Sequence, residues 1–523
     1  MKYPAPRLAL IAACLGLAVF SRGAEPVASV TLHADRPGPV INPNLYGQFA
    51  EHLGHGIYGG IWVGPESPIP NTRGLRNDVL AALRQLHVPV IRWPGGCFAD
   101  EYHWKDGIGP REQRPKLINN NWGGVVEDNH FGTHEFMDLC ELTGAEPYIS
   151  GNVGSGSVQE MAQWVEYLTS DADSPMANLR RANGRDKPWK VKYFGLGNES
   201  WGCGGNMRPE FYADVYRRYD AFLKDFSGNV LYRVASGANA DDYRWTDIVL
   251  GATAMYKKTP AMNGISLHYY TLPGTEWEHK GSATAFTEAE WMSTLSHTLR
   301  MEELITQHAA IMDRHDPERK VGLLVDEWGT WYDPTPGTNP GFLVQQNTLR
   351  DALVAALNFN IFQRHAERVT MANIAQMVNV LQGMIMTEQD KMVLTPTYHV
   401  FEMYRVHQGA TVLPVELSTP DYLLDAVKIP AVSASASRDS AGVVHLSLAN
   451  TDPHRLITVN CTLAGLVAQG VTGRVLTAPA MQDCNTFAAP DVVKPQPFSG
   501  ATLTGNQLTI ALPAKSVVVL TLK

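Results

Sequence analysis

Between about residue 45 and residue 400 the chain alternates short apolar runs with longer stretches whose apolar residues recur every three or four positions. Runs of strand character fall at residues 45–49, 88–93, 146–151, 192–197, 230–236, 264–269, 321–327 and 369–374. Helical stretches fall at 75–87, 133–143, 158–169, 209–226, 288–314 and 347–358. Eight strands alternating with helices over this length predict a parallel sheet closed on itself, an α/β fold of the (β/α)8 TIM barrel type spanning 45–408. In such a barrel the loops that follow the strands gather on one face, so residues far apart in sequence become neighbours there.

After about residue 410 the texture changes. Segments rich in Val, Thr and Leu, at 443–448, 457–463 and 516–522, alternate with Gly, Pro, Ser and Asp, and helical periodicity disappears. This predicts an antiparallel β-sandwich over 409–523. Residues 27–32 share that character, so the segment 25–44 is expected to return to the sandwich and join the two ends of the chain.

The first 24 residues read as a secretory signal peptide: Lys2 and Arg7, an apolar run from Leu8 to Phe20, then Ser21-Arg22-Gly23-Ala24. Export to the periplasm or beyond is the expectation. A lipoprotein box at Ile11-Ala12-Ala13-Cys14 is the less favoured route, since more apolar sequence follows it. Removing this segment takes Lys2, Arg7 and Arg22 and no acid, moving the net charge from −9 to −12. So acidic a chain is a poor partner for nucleic acid or an anionic membrane surface, and it suits a neutral ligand such as a sugar polymer. No later segment has the apolar length to span a bilayer. Cys97, Cys140, Cys203, Cys461 and Cys484 are too sparse for a disulfide-built scaffold, and their odd count leaves at least one thiol free. No CxxC pair occurs, and His134-Glu135 lacks the second histidine of a metalloprotease helix, so neither a metal nor another cofactor is expected.

Two glutamates stand out by position. Glu199 closes the apolar run Tyr193-Phe194-Gly195-Leu196-Gly197-Asn198, and Glu327 closes Leu323-Leu324-Val325-Asp326. These are the fourth and seventh strands of the expected barrel, so both carboxyls point into one cleft. Glycosidic cleavage needs such a pair, one to protonate the leaving oxygen and one to attack the anomeric carbon or activate water. The acid needs a raised pKa, which desolvation and a neighbouring negative charge supply. Asn198, beside the acid, is placed to bond a sugar hydroxyl.

Gly197-Asn198-Glu199 and Asp326-Glu327-Trp328-Gly329 resemble the acid/base and nucleophile motifs of glycoside hydrolase family 51, the α-L-arabinofuranosidases. Three further stretches are similar to that family: Tyr46 to Gly54, Arg92-Trp93-Pro94-Gly95-Gly96, and Tyr102 to Pro110. The resemblance runs from about residue 41 to 408, while the C-terminal part matches only in β-rich character. It implies an exo-acting retaining double displacement on arabinofuranosides of arabinan, arabinoxylan or their oligosaccharides, a barrel joined to a jelly-roll-like β domain, and the option of a homo-oligomer. By motif, Glu199 is expected as acid/base and Glu327 as nucleophile. Glu51 and Asn198 are expected to bind sugar hydroxyls, Tyr270 to sit near the nucleophile, Gln376 to contact the sugar from the eighth strand, and Trp122 to line the subsite wall.

One position departs from the pattern. Many members have Asn after Pro-Gly-Gly, whereas this chain has Cys97, and a thiol cannot reproduce the two-sided bonding of an amide. Cys203 follows Glu199 closely, so the two sulfurs are expected near the cleft, either joined as a disulfide in an oxidising compartment or as separate buried thiols. Cys461 and Cys484 are a weaker candidate pair. Trp93, Trp104, Trp122, Trp201, Trp328 and Trp331 all fall near expected strand tops, where indoles stack on sugar faces. A β-xylosidase or endo-β-glucanase on the same barrel, and a noncatalytic carbohydrate-binding protein, are the competing readings.

Overall fold

The computed structural model of the protein describes residues 26–254 and 262–523; the expected signal peptide lies outside the described residues. Eight parallel strands close a barrel in chain order. They are β1 (Gly47–Phe49), β2 (Val90–Trp93), β3 (Glu146–Gly151), β4 (Tyr193–Leu196), β5 (Tyr232–Asn239), β6 (Gly264–Thr271), β7 (Gly322–Thr330) and β8 (Val369–Ile374). The barrel interior is packed by Val90, Tyr148, Tyr193, Val234, Leu324 and Met371, so it is a filled core and not a pore. The first strand is shorter than its apolar run. Asn42 accepts from the amide of Asn44 and Pro43 opens a 3-10 turn through Tyr46, which delays β1 to Gly47.

The helices begin where side chains can cap them. Ser157 accepts from the amide of Glu160 at the start of Val158–Thr169, and Thr287 and Glu290 form a capping box at the start of Glu288–His315. Thr348 and Asp351 do the same for the helix Leu349–Arg364. That helix is buried along its whole length to Gln363, because one side lies on the barrel and the other under the β domain.

The C-terminal domain is two stacked sheets. One runs, edge to edge, through Val415–Ser418, Val27–His33, Ile457–Ala464, Gln507–Leu512 and Ala501–Thr504; the other centres on Val432–Arg438, Val444–Asn450 and Ser516–Leu522. The strand Val27–His33 inserts between two C-terminal strands, parallel to Ile457–Ala464 and antiparallel to Val415–Ser418. Alternate residues Ala28, Val30 and Leu32 are buried, which is the period a strand needs to bury one face. The central strands Val432–Arg438 and Val444–Asn450 of the second sheet are buried on both faces, and Asn360 of Leu349–Arg364 bonds Ser433 and Ser435 across that contact. Cys461 is buried in its strand and Cys484 lies in a loop; both are free thiols, so the weaker candidate pairing does not form.

Candidate active site

At the C-terminal ends of the barrel strands one pocket of about 330 Å³, mouth included, is lined by Glu51, Cys97, Trp122, Glu199, Tyr270, Glu327 and Gln376, with Leu53, Gly96, Trp331, Leu343 and Leu381. Seven of the eight candidate residues therefore share one wall. The eighth, Asn198, is buried directly beneath it.

Glu327 owes its placement to a bulge. Along β6 and β7, Ser266 pairs with Leu324 but His268 pairs with Glu327; along β7 and β8, Val325 pairs with Ala372 but Trp328 with Ile374. The extra residue in β7 breaks the alternation of faces, so consecutive Asp326 and Glu327 both reach the barrel mouth. Arg92 donates to Glu327 Oε1 at 2.8 Å and Tyr270 donates its hydroxyl to Oε2 at 2.8 Å. Below them Tyr148 donates to Asp326 Oδ2 at 2.8 Å.

Glu199 sits past the end of β4 with φ 39°, a left-handed backbone that a glutamate adopts only where its surroundings enforce it. The imidazole of His268 bridges the site. Its Nδ1 lies 2.9 Å from Glu199 Oε1 and 3.5 Å from Glu327 Oε2, and its Nε2 lies 3.0 Å from Asp326 Oδ1. Cys97 and Cys203 form a disulfide with Cα atoms 5.4 Å apart, and its sulfurs stand 3.9 and 3.5 Å from Glu199 Oε2. A disulfide sulfur has no proton to donate, so this contact acts as an apolar wall against the carboxyl.

Glu51 accepts from the amides of Gly96 and Phe98 at 2.9 and 3.2 Å, and Gln376 donates to its other oxygen at 2.9 Å. The approach explains the double glycine. A Cβ on Gly95 would stand 2.7 Å from Glu51 Cγ, and one on Gly96 2.8 Å from Glu327 Oε1. Trp122 is carried by the hairpin of Leu117–Ile118 and Val126–Glu127, which Asn119 ties to the carbonyl of His52 and the carboxylate of Glu127.

Four carboxyls face two cations. Burial opposes the charge of His268, but Glu327 together with hydrogen bonds to Asp326 and Glu199 pushes it up to about 10. Burial also opposes the charge of Arg92, and Asp326 and Glu327 hold it well above the usual guanidinium range. Burial raises Asp326 but Arg92 and His268 outweigh it, leaving that carboxyl below its ordinary value. Burial raises Glu51 to about 7, helped by the charge of Glu327. Glu199 is raised mainly by burial and by Glu327, against the pull of His268 and Arg92. The arrangement therefore favours a proton on Glu199 beside a carboxyl held by Arg92 and Tyr270, two unlike environments of the kind an acid and a nucleophile require.

Among the described residues, two triads offer ligand atoms within 4.8 Å of one another, Cys97–Glu199–Cys203 and Glu199–His268–Glu327. The sulfurs of the first are consumed in the disulfide, and the imidazole of the second is held between carboxylates. Of the six tryptophans expected at the rim, Trp122 and Trp331 line the pocket. Trp93, Trp104 and Trp328 are fully buried and pack in the core, and Trp201 donates to the carbonyl of Gly237. An indole at a strand end serves either face, and sequence position does not distinguish them. Arg92, His268 and Asp326 join the site without having stood among the candidate residues; Arg92 and Asp326 lie within the motifs of Gly95 and Glu327, and His268 lies two residues before Tyr270.

The family described as "Alpha-L-arabinofuranosidase 1 domain" matches residues 82–285, and "Alpha-L-arabinofuranosidase C-terminal domain" matches 326–516. A Bacteroides ovatus protein named an intracellular exo-alpha-L-arabinofuranosidase is 53% identical over 98% of this chain and 99% of its own length. The crystal structure of a family 51 arabinofuranosidase from Xanthomonas axonopodis pv. citri superposes with TM-score 0.94 at 56% identity, covering 95% of this chain and 100% of that one. An arabinose complex of the Thermotoga maritima alpha-L-arabinofuranosidase superposes with TM-score 0.82 at 30% identity, covering 95% and 99%. The Bacteroides name overturns the expectation of export: a relative aligned over nearly its whole length is named intracellular. That expectation rested on the basic start and apolar run of residues 1–24 alone, and the name of this relative weighs against it.

Proposed function

This chain belongs to the α-L-arabinofuranosidases of glycoside hydrolase family 51, and on that footing we propose that it releases single arabinofuranosyl residues from arabinan, arabinoxylan or their oligosaccharides by a retaining double displacement. The observation that carries the mechanism is the spacing of the carboxyls: an oxygen of Glu199 and one of Glu327 lie within 4.8 Å. Retaining enzymes hold the pair roughly 5–5.5 Å apart, whereas inverting enzymes need about 6.5–9.5 Å to admit a water.

Glu327 attacks the anomeric carbon as Glu199 delivers its proton to the departing oxygen. Arg92 and Tyr270 hold the attacking carboxylate in place. Loss of the leaving group leaves a glycosyl ester on Glu327 and an ionised Glu199. Glu199 then takes a proton from water as the water attacks the same carbon, freeing arabinose and restoring both groups. Among the described residues, Asn198 Nδ2 and Gln376 Oε1 are buried without partners, a donor and an acceptor ready for furanose hydroxyls beside Glu51. Leu53, Leu343 and Leu381 line the pocket too, which favours one terminal sugar over a threaded chain. Outward from Tyr270, Trp331 and then Trp277 meet edge to face with ring centroids 4.9 Å apart at each step, a wall suited to the departing portion of the substrate.

The test is Glu327→Gly assayed on an activated aryl α-L-arabinofuranoside with and without azide. Turnover is expected to vanish and azide to restore glycosyl transfer with inverted configuration; unchanged activity in the variant would remove Glu327 from the role. Faster cleavage of a β-xyloside or β-glucan by the wild type would overturn the sugar assignment.

A further inference from the structure

Asp100 is a buried carboxylate that the chemistry above leaves unused. It closes the 3-10 turn Cys97–Asp100 that follows β2 and is 5% exposed. Its Oδ1 accepts the main-chain N–H groups of Val153 and Gly154, both at 2.9 Å, from the loop after β3. Its Oδ2 accepts the N–H of Asn198 at 3.1 Å, the amide immediately before Glu199. Its own carbonyl takes the amide and hydroxyl of Ser155 at 3.0 and 2.9 Å. One side chain thus laces the loops after three successive strands. Burial pushes its carboxyl up to about 7, against the pull of those amides and of Arg92.

The turn that carries Glu199 has each neighbouring donor held from a different strand. Gly197 donates to the carbonyl of Gly151 at 3.0 Å, Asn198 to Asp100, and Ser200 to the hydroxyl of Ser236 at 3.1 Å. Asp100 supplies the middle anchor, directly under a residue whose backbone is left-handed. The chain also folds back over this contact: a Cβ on Gly204 would stand 1.8 Å from the carbonyl oxygen of Asn198 and 2.7 Å from Asp100 Oδ2. Without the acceptor, a buried N–H beside a strained residue would have no partner, and the turn would relax.

We propose that Asp100 is the positioning residue for the acid/base, holding the Asn198 amide so that the Glu199 carboxyl stays over the leaving oxygen. The role rests on Glu199 being the acid/base, and the experiment separates the two. In Asp100→Asn one oxygen becomes an NH2 group, so at least one of its three amide contacts becomes donor against donor.

On a poor leaving group, which needs a proton, kcat/KM is expected to fall about 10²-fold, the scale of lost general acid catalysis, while on a 2,4-dinitrophenyl arabinofuranoside it stays within about threefold of wild type. Azide is expected to restore kcat on the activated substrate, since it attacks the glycosyl-enzyme without a base. Equal losses on both leaving groups, or no azide effect, overturn the proposal. Glu199→Ala is the control. If it lacks this leaving-group pattern, the acid/base reading fails; if it has the pattern and Asp100→Asn does not, only the role of Asp100 fails. Asp100→Ser, which keeps one acceptor, is the second variant. Failure of both Asp100 variants to fold would assign the residue to stability alone and overturn the proposal.

Discussion

His268 touches the carboxyls of both Glu199 and Glu327, and its charge works against the proton that Glu199 is proposed to deliver. A cationic imidazole 2.9 Å from Glu199 Oε1 favours the ionised carboxylate and so lowers its pKa. Removing that cation lets the pKa of Glu199 rise, and the acid then stays protonated to higher pH. His268→Gln is therefore expected to move the alkaline limb of kcat/KM to higher pH while activity falls about 10²-fold, the scale of losing one preorganised donor. A limb that moves to lower pH would contradict the electrostatics. Glu51 offers a second check through stability. Its carboxyl is raised from 4.5 to about 7 on folding, so its contribution is complete below the unfolded value and is lost as pH rises through the folded one. Between pH 4 and 8 the wild type should lose about 3 kcal/mol relative to Glu51→Gln, measured as the difference in unfolding free energy at each pH.

At the scale of elements, the bulge in β7 and the double glycine after β2 belong together. The bulge turns Glu327 into the mouth, and the absence of a side chain at Gly96 leaves it room. Gly96→Ala would put a methyl 2.8 Å from Glu327 Oε1, an oxygen already held by Arg92. Glu327, the proposed nucleophile, must shift, and kcat/KM is expected to fall about 10²-fold. A different element carries the join between the domains. Leu353 lies mid-helix in Leu349–Arg364 and is fully buried. Leu353→Ala is expected to cost about 2–5 kcal/mol in denaturant unfolding, the range for a core cavity.

The whole molecule is tied by its N-terminal strand. Val27–His33 lies between two strands of the C-terminal sheet, so the sandwich is complete only when both ends of the chain meet. Because the other sheet packs on Leu349–Arg364, barrel and sandwich share one continuous buried core. Val30→Asp buries an unpaired carboxylate in that strand and is expected to cost about 4 kcal/mol or more. Calorimetry should then record one lowered transition; two separate transitions, with the barrel unmoved, would show that the domains do not unfold together.

Much of this was legible in the residues themselves. The alternation of strand and helix periods determined the barrel, because each apolar run was long enough for one strand and each amphipathic stretch for one crossover. The β-rich character of residues 27–32 marked the N-terminal segment as a strand of the sandwich, and the structure showed Ala28, Val30 and Leu32 to be its buried face. The placement of Glu199 and Glu327 at strand ends, with the motifs around them, determined the paired carboxyls. Tertiary structure alone decided how those carboxyls are set. The bulge in β7 appears only when its register against β6 and β8 is compared. His268, Arg92 and Asp100 act through groups distant in sequence, which periodicity does not register. The disulfide of Cys97 with Cys203 was open between two readings until their backbones were placed, since spacing along a chain does not measure distance across a barrel mouth. The tryptophans separated into core and rim for the same reason: burial is a property of the packed neighbours, and a single chain position does not contain them.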